Sequence, residues 1–322
     1  MKKWWLATVG FTICLTIILG SLNPISAQNS PQIYVFGDSL SDVGNVYQAT
    51  NGNNPPSPPY FKGRYSNGPV WVEYLASRLK LSSNLVNNFA YGGAKTGDSQ
   101  QLPPGVLAQI QRFKAENTTV NSKALYIIWA GANDYLGGAT DTTLPINNLA
   151  TAVKRLAESG AKNIVVVNLP DLGKLPATRT TERANLLSRL TQNHNTGLAA
   201  SLKSLRQEFG DTNIGYIDVN ALFQLVYNSP EKYGLENVTQ ACLGDGNVCD
   251  RPNEYLFWDG IHPSTAAHKL LVQLASHKLT TTPKSVTNSS IKLAIPLSIL
   301  IFTVLAVSLI MWKQRKRIGN RS

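Results

Sequence analysis

Cysteine and histidine are scarce in this 322-residue chain, with three of the former and four of the latter. A tetrahedral zinc site needs about four thiolate or imidazole ligands at close spacing. Cys14, Cys242 and Cys249 with a few scattered histidines do not supply one, so no metal is expected. Charge is sparse as well, at 15% of residues, while 24 Gly and 17 Pro are too few for a collagen-like or mucin-like chain. A hydrophobic content of 43% excludes a wholly disordered one. No internal repeat is present. Acidic residues are missing from both ends: residues 1–27 contain Lys2 and Lys3, and residues 280–322 contain seven Lys and Arg, with no Asp or Glu in either. Of the formal net charge of +11, only +2 therefore falls on residues 28–279. A nucleic-acid-binding surface loses its main support, and no nucleic-acid partner is expected.

What the ends do contain resembles membrane-handling sequence. Two lysines, an apolar stretch from Trp4 to Leu19, then Asn23, Pro24, Ser26 and Ala27 follow the order of a secretory signal peptide, giving a leader over 1–27. Near the other end, Leu293 to Trp312 carries no charge and is followed by Lys313, Gln314, Arg315, Lys316 and Arg317. That length matches a single transmembrane helix, placed at 291–312, and the basic cluster would stay inside. The expectation is an exported body over 28–279, a linker over 280–290 rich in Thr and Ser, a membrane anchor, and a basic cytoplasmic tail over 313–322. A span followed by a basic cluster also resembles sorting signals that are removed after export. Cys242 and Cys249, with six residues between them in a Gly/Asp/Asn loop, are candidates for a small disulfide in an oxidising compartment.

Residues 28–279 alternate short β-rich runs with helical stretches, the pattern of a parallel sheet covered on both faces. Strands are expected over 33–37, 85–90, 124–130, 163–169 and 213–219, and helices near 69–79, 106–116, 144–159, 181–209 and 264–278. Runs such as Tyr126-Ile127-Ile128-Trp129 are apolar on both faces, as central strands require. Asn51 to Tyr60, with four prolines, reads as a stiff surface loop, either a wall of a substrate mouth or a simple connector.

In an open parallel sheet, sites form at the carboxyl ends of the strands. Ser39, in Gly37-Asp38-Ser39-Leu40, stands where a nucleophile would be useful. A serine needs a base and a group to orient that base. Among His194, His262, His268 and His277, only His262 sits in a turn with an acid three residues before it, in Asp259-Gly260-Ile261-His262. That spacing lets Asp259 face one ring nitrogen while the other faces Ser39. His268 and His277 are read as solvated or packing residues and His194 as a polar helix residue. An oxyanion needs preorganised donors, and two segments after strands offer them: Asn88 to Gly93, with Gly92 and Gly93, and Gly131 to Asp134, with Asn133.

These segments, in this order and together with Gly63-Arg64-Tyr65-Ser66-Asn67-Gly68, resemble the GDSL esterases and lipases, or SGNH hydrolases. The plant-like lipase and lecithinase or haemolysin branch is the nearest in character. The resemblance implies a three-layer α/β/α sandwich with a five-stranded parallel sheet in the flavodoxin-like order 2-1-3-4-5. It implies Ser39, Asp259 and His262 as catalytic residues, and Ser39, Gly93 and Asn133 as oxyanion donors. Gly93 is preferred to Gly92 because it stands five residues after Asn88. The expected activity is hydrolysis of carboxylic esters, with an ester or lipid as substrate and no cofactor. A carbohydrate O-acetylesterase on the same scaffold and a catalytically silent surface binding module are the alternatives.

Overall fold

The structure, a computed structural model, describes residues 32–280. Five strands form one parallel sheet: β1 (Ile33–Gly37), β2 (Val86–Asn88), β3 (Leu125–Trp129), β4 (Asn163–Val167) and β5 (Asn213–Ile217), in the spatial order β2-β1-β3-β4-β5. The helices are α1 (Asn45–Ala49), α2 (Trp71–Arg78), α3 (Val106–Glu116), α4 (Ala132–Leu136), α5 (Thr143–Glu158), α6 (Ala184–Glu208), α7 (Val219–Asn228) and α8 (Thr265–Thr280).

The period-two alternation of strand side chains divides the core between two faces. Tyr34, Phe36, Tyr126, Ile128, Ile164 and Val166 point to one side, where α3, α5 and α6 pack with Ile110, Phe113, Leu149, Val153, Leu198 and Leu202. Ile33, Val35, Ile127, Trp129, Val165 and Val167 point to the other, against Trp71, Val72 and Leu75 of α2 and Val272 and Ala275 of α8. Each large side chain so buried contributes about 1.5–3 kcal/mol, which is why strands only five residues long hold a central position. The expected three-layer architecture and strand order are thus present. The edge strand β2 is shorter than the expected 85–90, although its ladder continues where Phe89 N donates to Val35 O at 2.8 Å.

The transmembrane helix added to this architecture is corrected. Among the described residues no helix is long and apolar enough to cross a membrane. The longest, α6, has 25 residues but keeps its buried side chains on one face, including Leu187, Leu190, Leu198 and Leu202. Its opposite face carries polar residues such as Arg189, Asn193 and Lys203, so it suits a sheet surface rather than hydrocarbon. The expected span at 291–312 lies outside the described residues, as do the leader at 1–27, residues 281–290 of the linker and the tail at 313–322.

Sequence patterning missed three helices, α1, α4 and α7, and two small sheets. Strand β5 stops at Ile217, and Asp218 caps α7 by accepting from Ala221 N. Strand β6 (Asn237–Ala241) pairs in parallel with β9 (Tyr255–Phe257), and β7 (Leu243–Gly244) pairs antiparallel with β8 (Asn247–Val248). The Cys242–Cys249 disulfide closes the β7–β8 hairpin. Together these elements lie beyond the carboxyl edge of the sheet, where Tyr135, Leu172, Leu187, Val226 and Leu256 form a third apolar cluster.

Candidate active site

The turn after β1 is fixed by polar groups on three other segments. Gly37 has a φ of +155°, and a Cβ there would fall 2.1 Å from the Trp129 carbonyl oxygen, so only glycine permits this approach of β1 to β3. The buried Gln109 side chain on α3 clamps the same residue, accepting from Gly37 N at 2.8 Å and donating to Gly37 O at 2.9 Å. Asp42 closes the turn by accepting from Gly44 N and Asn45 N on one oxygen and from Val46 N and Gly92 N on the other. Asn88 Nδ2 donates to Ser41 O at 2.7 Å. These bonds hold the serine turn and the loop after β2 as one unit.

Ser39 emerges from that unit toward the segment before α8. His262 Nε2 lies 2.8 Å from Ser39 Oγ, and His262 Nδ1 lies 2.7 Å from Asp259 Oδ2. The other Asp259 oxygen accepts from Ile261 N at 2.9 Å and His262 N at 2.7 Å, which is the local reason the Asp-x-x-His spacing presents both side chains together. The Gly63–Gly68 segment anchors this turn from outside: Ser66 Oγ donates to Pro263 O, and Asn67 Oδ1 accepts from Thr265 N at the start of α8.

The Pro-rich loop reaches the site at its last residue. Tyr60 Oη donates to Asp259 Oδ2 at 2.7 Å, and the Tyr65 ring sits 5.1 Å from the His262 ring. Sequence reading allowed for a mouth wall in this loop but did not find the bond to the acid; a tyrosine closing a Pro-rich loop gave no local sign of it. Burial tends to raise the Asp259 pKa, but the bonds from His262 and Tyr60 outweigh it and hold the carboxyl at about 2. Asp38, beside the serine, is the opposite case: burial pushes it up to about 7, against the pull of Leu40 N–H and the nearby His262.

The expected oxyanion donors fall into place differently. Gly92 N–H is already bonded to Asp42, whereas no hydrogen bond involves the N–H of Gly93 or of Ser39 among the described residues. Gly93 has a φ of +83°. Asn133, at the start of α4, donates one amide hydrogen to Ala94 O at 3.0 Å and keeps the other. Asn133 and Ser39 line the same cavity as His262.

His194 and His268 are not solvated. His194 is 0% exposed on α6, shares a 2.7 Å hydrogen bond with Tyr135 Oη, and lies against Gly131, whose Cβ would stand 3.1 Å from its ring. It therefore supports the turn that presents Asn133. His268 lines the cavity behind His262 with neither ring nitrogen bonded among the described residues. The side chain of His277 lies outside the described part of α8. Burial lowers the pKa of His194 to about 4 and, with some repulsion from His262, that of His268 to about 3.

A buried neutral histidine makes stability fall with acid. Below an unfolded value of about 6.5 the unfolded chain binds a proton that the folded one refuses. The stability at stake in His194 is complete above that value and is lost as pH falls toward about 4. Urea unfolding of His194→Gln and the parent at pH 7 and pH 5 is expected to show the gap between them narrowing by about 1–2 kcal/mol at the lower pH. An unchanged gap would mean that His194 takes up a proton without unfolding.

Among the described residues no group of His, Cys, Asp and Glu is arranged to hold a metal ion. Comparison with known proteins matches residues 33–275 to the family model described as GDSL-like Lipase/Acylhydrolase. The chain is similar to a phosphatidylcholine-sterol acyltransferase of Aeromonas hydrophila, 30% identical over 259 residues covering 77% of this chain and 74% of that one. It is similar to a thermolabile hemolysin of Vibrio parahaemolyticus, 28% identical over 75% of this chain and 62% of the other. A GDSL esterase/lipase of Arabidopsis thaliana is 26% identical over 80% of this chain and 91% of its own length.

Proposed function

Since this chain belongs to the GDSL-like lipase/acylhydrolase family of ester-bond hydrolases, we propose that Ser39, His262 and Asp259 perform its two-step acyl transfer. The continuous hydrogen-bond line from Asp259 through His262 to Ser39 carries this reading. His262 takes the Ser39 proton as Oγ attacks the ester carbonyl. Asp259, ionised at any working pH, holds the imidazole in the tautomer that leaves Nε2 free to accept and stabilises the imidazolium that forms. The developing oxyanion meets the N–H groups of Ser39 and Gly93 and the free amide hydrogen of Asn133. His262 protonates the leaving alkoxide, then activates the water that releases the acid.

The acyltransferase among the relatives carries phosphatidylcholine in its name, which supports a lipid acyl donor here. We also place the enzyme body outside the cytoplasm, a reading supported by the Cys242–Cys249 disulfide, since such bonds persist in oxidising compartments.

The test is hydrolysis of a p-nitrophenyl ester alongside labelling by a serine-directed fluorophosphonate. Both are expected for the parent, with the label recovered on Ser39. Loss of the label by Ser39→Ala alone among serine variants would agree; label on any other serine would overturn the assignment. Asn133→Ala is expected to lower kcat by about 10²–10³, the effect of removing one oxyanion donor. A kcat within threefold of the parent would remove Asn133 from the oxyanion site.

A further inference from the structure

Resting on the ester-hydrolase reading, we infer that the groove between α7 and α8 is the acyl-chain site and that it selects linear chains of medium length. The cavity lined by Ser39 and His262 continues between these two helices. From α7 it receives Val219, Leu222, Phe223 and Val226, the i, i+3, i+4, i+7 set that forms one helical face. From α8 it receives Ala267, Leu270, Leu271 and Leu274, the same spacing. Its polar lining, Asp38, Ser39, Asn133, His262 and His268, belongs to the strand-end turns and the start of α8, close to the reacting atoms. Charge is absent from the wall formed by α7 and by the rest of α8.

Packing shows that this space is not a filled core. Leu222, Phe223, Leu270, Leu271 and Leu274 all face the groove yet remain half-buried, whereas Val72 and Leu75 of α2 and Ile127 of β3 are fully buried. Apolar side chains turned inward and left partly uncovered leave room for an apolar occupant. The occupant is the acyl chain of the ester, because the groove is continuous with the serine that would carry it.

Geometry sets the length. Helix α8 starts three residues after His262, so the distance from Ala267 to Leu274 measures depth from the reacting end. Seven residues of helix rise about 10 Å. Extended chain advances about 3.5 Å per three bonds, so a chain of roughly eight carbons matches the length of these walls. An acetyl group would leave these walls unused.

The experiment measures kcat/KM of the full chain on p-nitrophenyl acetate, butyrate, octanoate and palmitate. Transfer of one methylene from water to apolar surroundings corresponds to about fourfold in an equilibrium. With partial contact, octanoate is expected to exceed acetate by between about 10-fold and 10³-fold, and palmitate to gain nothing over octanoate. Leu222→Trp and Leu274→Trp, which fill the groove, are expected to lower the octanoate-to-acetate ratio at least tenfold. The ratio is unaffected by a partial loss of folded protein. A flat series, or acetate as the best substrate, would overturn the acyl-chain site while leaving the ester-hydrolase reading intact and favouring a deacetylase. Inactivity on every ester, acetate included, would overturn both.

Discussion

Ser39→Ala is expected to lower kcat on every ester by about 10⁶, with His262→Ala and the double variant lowering it no further. The lack of additivity follows from the geometry. Ser39 Oγ is a nucleophile only while His262 Nε2, 2.8 Å away, takes its proton, and His262 has no other role in the attack once the hydroxyl is gone. What survives is the contribution of the oxyanion donors and of substrate binding. Folding should be preserved, because removing the hydroxyl breaks no bond except that to His262, and the turn is held by Gln109, Asp42 and Asn88. Single-turnover and steady-state kinetics on a p-nitrophenyl ester check this, with thermal unfolding as the control for folding. A Ser39→Ala enzyme within tenfold of the parent would eliminate the nucleophile.

Asp259→Asn is expected to lower kcat by about 10⁴. Asp259 accepts four hydrogen bonds: Ile261 N and His262 N on Oδ1, and Tyr60 Oη and the His262 ring on Oδ2. An asparagine can keep its oxygen under the two backbone N–H groups, which places its amide nitrogen opposite the imidazole and the phenol. That nitrogen donates. His262 Nδ1 must then accept, its proton moves to Nε2, and Nε2 can no longer receive the proton of Ser39. Tyr60→Phe removes one bond to the same carboxylate but leaves the imidazole contact, so its effect should be smaller than that of Asp259→Asn. Equal losses for the two would mean that the phenol, not the tautomer of His262, governs the reaction. Measurement of kcat for both variants across pH 6 to 9 separates the cases.

The agreement between sequence and structure is uneven, and the unevenness has a cause. Helix α3 and strand β1 begin and end where the residue pattern places them, because each has a clear period and a glycine at one boundary. Helix α7 went unseen although Asp218 caps it and Val219, Leu222, Phe223 and Val226 keep a helical period; the apolar end of β5 runs into it without a break. His194 looked polar because it stands between two asparagines, and nothing local shows that α6 turns it toward Tyr135 and Gly131. Nothing local separates Gly92 from Gly93, because the bond that occupies Gly92 N–H comes from Asp42, 50 residues away.

Local sequence determined what local forces control. Apolar runs on both faces specify strands buried in a parallel sheet, Gly37 permits the tight exit from β1, and three residues of separation bring Asp259 and His262 to one side of a turn. Tertiary structure alone decided what depends on segments distant in the chain. Ser39 meets His262 across 223 residues, Tyr60 reaches Asp259 across 199, and α7 and α8 leave between them a groove that neither helix encodes. The physical reason is that periodicity records only whether a side chain is buried. Which partner buries it, and whether that space is filled, is settled by how whole elements pack against the sheet.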